Sequence, residues 1–154
     1  HAFANQVLAS MQLDRKEYAK AENSLRKSLE RRKDPMVMND LAWTLQEKGE
    51  LDEAEALVRE ALKANEKVGT VWDTLGMILF KRGKLPEAGE ALQKSLSLSP
   101  DNPAVQLHLA QWHEKKGDMK KAAELAGNLL AHPIGLSQAD QELLRRISRA
   151  GSGQ

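Results

Sequence analysis

Gly49, Gly83 and Gly117 stand 34 residues apart, and Ala54, Ala88 and Ala122 keep the same interval. Leu41, Leu75 and Leu109 follow it, as do the small residues Ala42, Gly76 and Ala110 and the apolar series Leu51, Leu85 and Met119. A fixed period of this length describes a stack of like units, each burying its faces against its neighbours and leaving long surfaces free for binding. Fold and functional class are therefore constrained together. Registering the chain on its glycines gives units at about 2–34, 35–68, 69–102 and 103–136, the first one residue short.

Each unit reads as two amphipathic helices. In the third, Val71, Trp72, Leu75, Ile78 and Leu79 recur at helical spacing, and Leu85, Ala88, Leu92 and Leu96 do so again. A charged turn separates the two: Lys48-Gly49-Glu50, Arg82-Gly83-Lys84 or Lys116-Gly117-Asp118. Glycine there supplies the left-handed conformation that ends a helix. The first unit has Lys16 at that place, so either lysine takes positive φ or the turn differs. Ala9, Ala42, Gly76 and Ala110 lie midway along the first helices, opposite Ala21, Ala54, Ala88 and Ala122, where two helices must approach closely. Pro35, Pro100, Pro103 and Pro133 mark the unit junctions, where a missing N–H does no harm. After Leu136, Ser137 and Asp140 form a capping pair and Leu143, Leu144 and Ile147 one apolar stripe. This predicts a capping helix over about 137–149, covering the last unit, with a disordered tail at 150–154. The 1–154 chain is thus one all-α domain.

Charge names no partner class. The chain holds 23 basic and 22 acidic residues, for a net charge of +1, so no global field points to nucleic acid or an anionic membrane. The first two units are opposed in sign, +3 against −4, which favours their docking. Cysteine is absent, excluding disulfides and thiolate metal sites. No apolar run approaches the roughly 18 residues that span a bilayer. A start at His1 rather than Met reads as a fragment or processed form, which leaves the compartment open between cytoplasm and a bacterial periplasm or envelope.

Trp72-Asp73-Thr74-Leu75-Gly76, followed by Leu79, Gly83, Leu85, Glu87-Ala88, Leu92 and Pro100-Asp101-Asn102, resembles a tetratricopeptide repeat. The resemblance covers about 135 of the 154 residues. It implies a right-handed α-solenoid of four helix-turn-helix hairpins plus the capping helix. Met38 and Gln106 depart from the pattern at the tryptophan place, and Glu66 stands where the repeat-ending proline is expected; the junction geometry is where these should tell. Asn39-Asp40-Leu41-Ala42-Trp43 and the Trp72 motif are also similar to the C-terminal ends of large bacterial arrays, some tied to the envelope and exopolysaccharide export. On that likeness the chain is the C-terminal part of a longer bacterial array.

By the same resemblance the first helix of each hairpin lines a concave face through its second, fifth, ninth, twelfth and thirteenth residues. Those places hold Phe3, Gln6, Ser10, Leu13 and Asp14; Met36, Asn39, Trp43, Gln46 and Glu47; Thr70, Asp73, Met77, Phe80 and Lys81; and Ala104, Leu107, Gln111, Glu114 and Lys115. The candidate partner-binding groove is Met36, Asn39, Trp43, Gln46, Asp73, Met77, Phe80, Leu107 and Gln111. Its apolar members suit an apolar peptide or an amphipathic helix, and its amides would hydrogen-bond the ligand backbone. The carboxylate clamp by which some family members grip acidic chaperone tails is missing, since Gln6, Ser10, Asp40, Thr70 and Thr74 occupy its places. Trp112, one place beyond the groove, is assigned to anchoring the terminal helix.

Chemistry finds no constellation. His108 and His113 are five apart, not the i, i+4 pair of a helical zinc motif, and His1 and His132 are isolated. His113 falls on an inner helix face and reads as half-buried. The glycines form no phosphate loop, the serines have no histidine partner, and acidic runs such as Glu50, Asp52 and Glu53 sit at a helix start, where they favour the dipole. The chain is thus read as a non-enzymatic protein-interaction scaffold without cofactor. The alternatives are self-association, or a structural segment of a longer solenoid. RNA binding through Arg26, Lys27, Arg31, Arg32 and Lys33 ranks last, because no aromatic residues line that stretch.

Overall fold

The computed structural model describes residues 2–153, with side chains from Ala4 onward. Phe3, assigned above to the groove, has its side chain outside the described residues, as do His1 and Gln154 entirely. Among the described residues there are nine helices and no strand. They pair as α1 (Ala2–Asp14) with α2 (Tyr18–Leu29), α3 (Pro35–Lys48) with α4 (Leu51–Ala64), α5 (Gly69–Lys81) with α6 (Leu85–Leu98), and α7 (Pro103–Lys116) with α8 (Met119–Ala131), followed by α9 (Gln138–Gly151). The first helices contact one another in the series α3, α5, α7, and α9 continues it by packing on both α7 and α8. The fold is an α-helical solenoid.

Local signals set the helix boundaries. Asp34 and Asn102 accept from the backbone N–H two residues on, at 2.9 and 3.0 Å, with Pro35 and Pro103 in the first turn. Gly49 and Gly117 cap α3 and α7 with φ of 83° and 89°, and Gly83, φ 77°, follows the Arg82 cap of α5. At Gly49, the N–H groups of Gly49 and Glu50 return to Gln46 and Leu45, which satisfies carbonyls the helix end leaves open. Lys16 makes the same turn at φ 58°, its N–H and that of Glu17 returning to Leu13 and Gln12. Lysine therefore takes positive φ. The shortening of the first unit falls instead in α2, which has 12 residues against 14 in α4 and α6.

Small residues allow the close packing. Ala9, Ala21, Ala42, Ala54, Ala88, Ala110 and Ala122 are all buried, and a Cβ added to Gly76 would stand 2.7 Å from the Leu92 side chain. One apolar cluster runs through all four hairpins, built on Leu25, Leu41, Leu45, Val58, Val71, Ile78, Leu92 and Val105. A second joins Leu107, Ala110, Ala122, Ala126 and Leu129 to Leu144 and Ile147 of α9. The capping pair of Ser137 and Asp140 is formed reciprocally. Helix α9 extends two residues past its expected end, to Gly151, because glycine there lets it close on α8. A Cβ at that position would stand 2.5 Å from the Met119 carbonyl oxygen.

Departures from the repeat pattern are compensated at the junctions. Trp72 donates its indole N–H to the Glu66 carbonyl at 2.7 Å, and Gln106, at the equivalent place, donates its amide to the Pro100 carbonyl at 2.8 Å. Glutamine thus reproduces the tryptophan's hydrogen bond across the same six-residue span. Trp112 does not anchor the terminal helix. It is buried against α6, its indole N–H donating to the Leu85 carbonyl at 2.7 Å and its ring lying over Gly89, where a Cβ would come within 2.3 Å.

Candidate functional site

The concave face holds a hollow of about 530 Å³ lined by α3, α5, α7 and α9. Helix α3 supplies Trp43, Gln46 and Glu47; α5 supplies Asp73, Thr74, Met77 and Lys81; α7 supplies Ala104, Leu107, His108 and Gln111. Asp140 and Leu143 of α9 complete the lining. Six of the nine residues expected in the groove thus share one hollow: Trp43, Gln46, Asp73, Met77, Leu107 and Gln111. Met36, Asn39 and Phe80 are not among its lining. Met36 lies seven residues before Trp43 on the same face of α3 and is exposed, while Phe80 is half-buried against the main core.

The apolar residues of the groove divide in role. Met77 and Leu107 are buried, 8% and 6% exposed, and belong chiefly to the core, whereas Trp43 keeps 36% of its surface open. Trp43 is held edge-on by Tyr18, with ring centroids 6.1 Å apart. That contact leaves a rigid indole as the most accessible aromatic surface in the hollow, a feature typical of binding anchors.

Polar contacts across the hollow follow the repeat. Lys81 reaches Glu47, one period earlier, at 3.1 Å. His108 places Nδ1 at 2.8 and 2.9 Å from the two Asp73 oxygens, 35 residues earlier. An ionised carboxylate can only accept, so His108 carries a proton on Nδ1. Two amide oxygens behave differently: Asn39 Oδ1 and Gln46 Oε1 are buried without a hydrogen-bond partner. Sequence reasoning missed the His108 pairing and the contribution of Asp140 and Leu143. The first had a signal, a period-plus-one separation; the others had been read only as parts of the cap.

Near this face, burial pushes the Asp40 carboxyl above its usual value; a hydrogen bond from Asn39 opposes that and the Asp34 charge adds to it. His113 is half-buried, as expected, and burial lowers its pKa, with Nδ1 3.6 Å from the Asp118 carboxylate. Among the described residues no group of three His, Cys, Asp or Glu side chains could hold a metal ion, and no helix is long and apolar enough to cross a membrane.

Residues 7–69, 39–103 and 79–132 match tetratricopeptide repeat families. The chain belongs to the tetratricopeptide repeat family. It is similar to the cellulose synthase operon protein C of Pseudomonas fluorescens, with 29% identity over 133 residues, 80% of this chain and 10% of that protein. It also resembles the small glutamine-rich tetratricopeptide repeat-containing protein 2 of Mycosarcoma maydis, at 31% over 81 residues, 53% of this chain and 23% of that one. The chain therefore spans a tenth to a quarter of the length of these curated relatives. Solved structures that share its fold include the following three. The Cut9 and Hcn1 hetero-tetramer of the APC/C aligns with a TM-score of 0.80 at 22% identity, over 96% of this chain and 30% of that one. The Sgt2 TPR domain of Aspergillus fumigatus gives 0.70 at 20%, over 76% and 80%. The first TPR of Spaghetti (RPAP3), bound to the HSP90 peptide SRMEEVD, gives 0.69 at 18%, over 75% and 93%.

Proposed function

We propose that this tetratricopeptide array is a non-catalytic scaffold that holds a segment of another polypeptide in its concave hollow, with Trp43 as the anchor. The observation that carries the reading is the convergence of Trp43, Gln46, Asp73, Met77, Leu107 and Gln111, from three successive hairpins, on one hollow closed by α9. A surface assembled from equivalent positions of stacked repeats suits an extended or helical ligand running across the helices. A similar fold carries the peptide SRMEEVD, which supports peptide binding by this architecture. Asp40, Thr70 and Thr74 stand at three of the clamp places such an acidic peptide needs, so SRMEEVD is not expected to bind here.

Photocrosslinking tests the reading. A photoreactive residue at position 111 should label a polypeptide partner, and Trp43→Ala should remove the label while the helical circular dichroism is unchanged. Equal labelling of the Trp43→Ala variant would count against the groove.

A second reading, self-association, rests on Val7, Leu8 and Met11, which α1 leaves between 46% and 49% exposed. Sedimentation velocity separates the two. A dimer lost on Leu8→Lys favours self-association, and a monomer at high concentration removes its main support.

A further inference from the structure

Resting on the groove reading, the distribution of donors and charges in the hollow narrows the ligand. We propose that the hollow takes a peptide segment carrying a lysine or arginine beside a large apolar side chain, and that it rejects acidic segments. Three carboxylates line it, on Glu47, Asp73 and Asp140, against one lysine, Lys81. With His108 neutral the lining carries −2, and with His108 protonated it still carries −1. Both potential cations are already engaged, Lys81 by Glu47 and His108 by both oxygens of Asp73. An acidic ligand would find no free cation to pair with and would add charge of the same sign, whereas a basic side chain complements the field.

One buried amide in the lining is compatible with such a ligand. Gln46 is 5% exposed and lines the hollow, and its Oε1 has no hydrogen-bond partner. Buried polar atoms are rarely left unpaired. Gln46 Oε1 is an acceptor, so the ligand meets it with a donor. A peptide N–H, a lysine or an arginine can supply that donor, and an ionised carboxylate side chain cannot. The apolar half of the ligand has its place at Trp43 and Leu143, and Trp43 can also receive a cation on its ring face.

Selection of a random nonapeptide phage library on the intact chain tests both levels. Enriched sequences should place Lys or Arg within a few residues of Trp, Phe, Leu or Met. In fluorescence anisotropy, replacing those basic residues by Glu in the synthetic peptide should weaken binding at least tenfold. Asp73→Asn should weaken the basic peptide several times more than its charge-neutral analogue. Enriched sequences that are acidic or lack basic residues, yet lose binding to Trp43→Ala, would overturn the ligand class while leaving the groove standing. Peptides that bind Trp43→Ala and Gln111→Arg as tightly as the parent, both variants keeping its thermal melt, would overturn the groove and the ligand class together. A library that yields no binder does the same.

Discussion

At the C-terminal end α9 lays Leu144 and Ile147, both fully buried, over α8, whereas at the N-terminal end α1 turns Val7, Leu8 and Met11 to solvent. The two ends are also fastened differently. A reciprocal capping box starts α9 and its apolar stripe completes a separate core cluster with α8. Beyond the apolar cluster they share, the first hairpin joins the second through ion pairs: Arg26 to Glu53 and Lys33 to Glu60, each at 2.8 Å, and Lys48 to Glu22 at 2.6 Å. The first two of these pairs realise the opposite charges of the two units, and the third runs the other way. Exposed ion pairs contribute about 0–1 kcal/mol each, while burying a leucine side chain is worth about 1.5–3 kcal/mol. Both ends therefore rest on apolar area; the C-terminal end adds a cluster of its own, and the N-terminal end adds a set of salt-sensitive contacts to the shared core.

The cap should show the largest effect. Leu144→Ala removes a fully buried side chain from the second cluster and is expected to cost about 2–5 kcal/mol. Chemical denaturation gives the magnitude and native-state hydrogen exchange the location: protection should fall in α7, α8 and α9 and persist in α3 and α4. Uniform loss throughout would mean that the array unfolds as one unit and the ends do not differ.

Next come the turns, where the contrast changes sign. Lys16 sits at φ 58°, a conformation that strains a residue with a Cβ, while Gly117 at φ 89° bears no such strain. Lys16→Gly should stabilise by about 0.5–1 kcal/mol, the relief being offset in part by the greater freedom of an unfolded glycine. Gly117→Ala should destabilise by about 1 kcal/mol or more. An added Cβ at Gly117 meets no atom within 4 Å, so its cost is conformational alone. Paired thermal melts compare the two. A destabilising Lys16→Gly would show that the lysine side chain contributes more than its backbone costs.

These contrasts also explain what could be read in advance. Glycine turns and alanine contacts recur because every unit solves the same problem, so their spacing revealed hairpins, small-residue seams and the inner helix face. Features peculiar to one unit were harder. Trp112 turns to α6 because Gly89 leaves room for its ring, and the equivalent positions Glu55 and Ala123 carry no such hint. Met77 and Leu107 occupy groove places by register, yet they are buried in the two apolar clusters, Leu107 beside Leu144 and Ile147 of α9, a matter of tertiary closure rather than pattern. Leu143 and Asp140 reach the hollow because α9 continues the first-helix series, which appears only once the helices are stacked.

The smallest effect belongs to the ion-paired end, and acid should expose it. A hydrogen bond from Lys48 lowers the pKa of Glu22 in the folded chain, with Arg26 acting in the same direction, and Arg26 likewise lowers that of Glu53. A carboxyl whose folded pKa is depressed adds stability above its unfolded value of 4.5, and that stability is lost as pH falls through the folded value. Between pH 7 and 5 the N-terminal end should thus hold. Below about pH 4.5 protection should decline first in α1 and α2, by under about 1 kcal/mol per pair because the groups are solvent-screened. Glu53→Gln should remove part of that acid sensitivity and leave α9 unchanged. High salt at pH 7 should loosen the same hairpin, since it screens the same charges. Hydrogen exchange at matched pH and ionic strength resolves α2 from α9 in one experiment. If α9 lost protection first under both conditions, ion pairing could not be what fastens the N-terminal end.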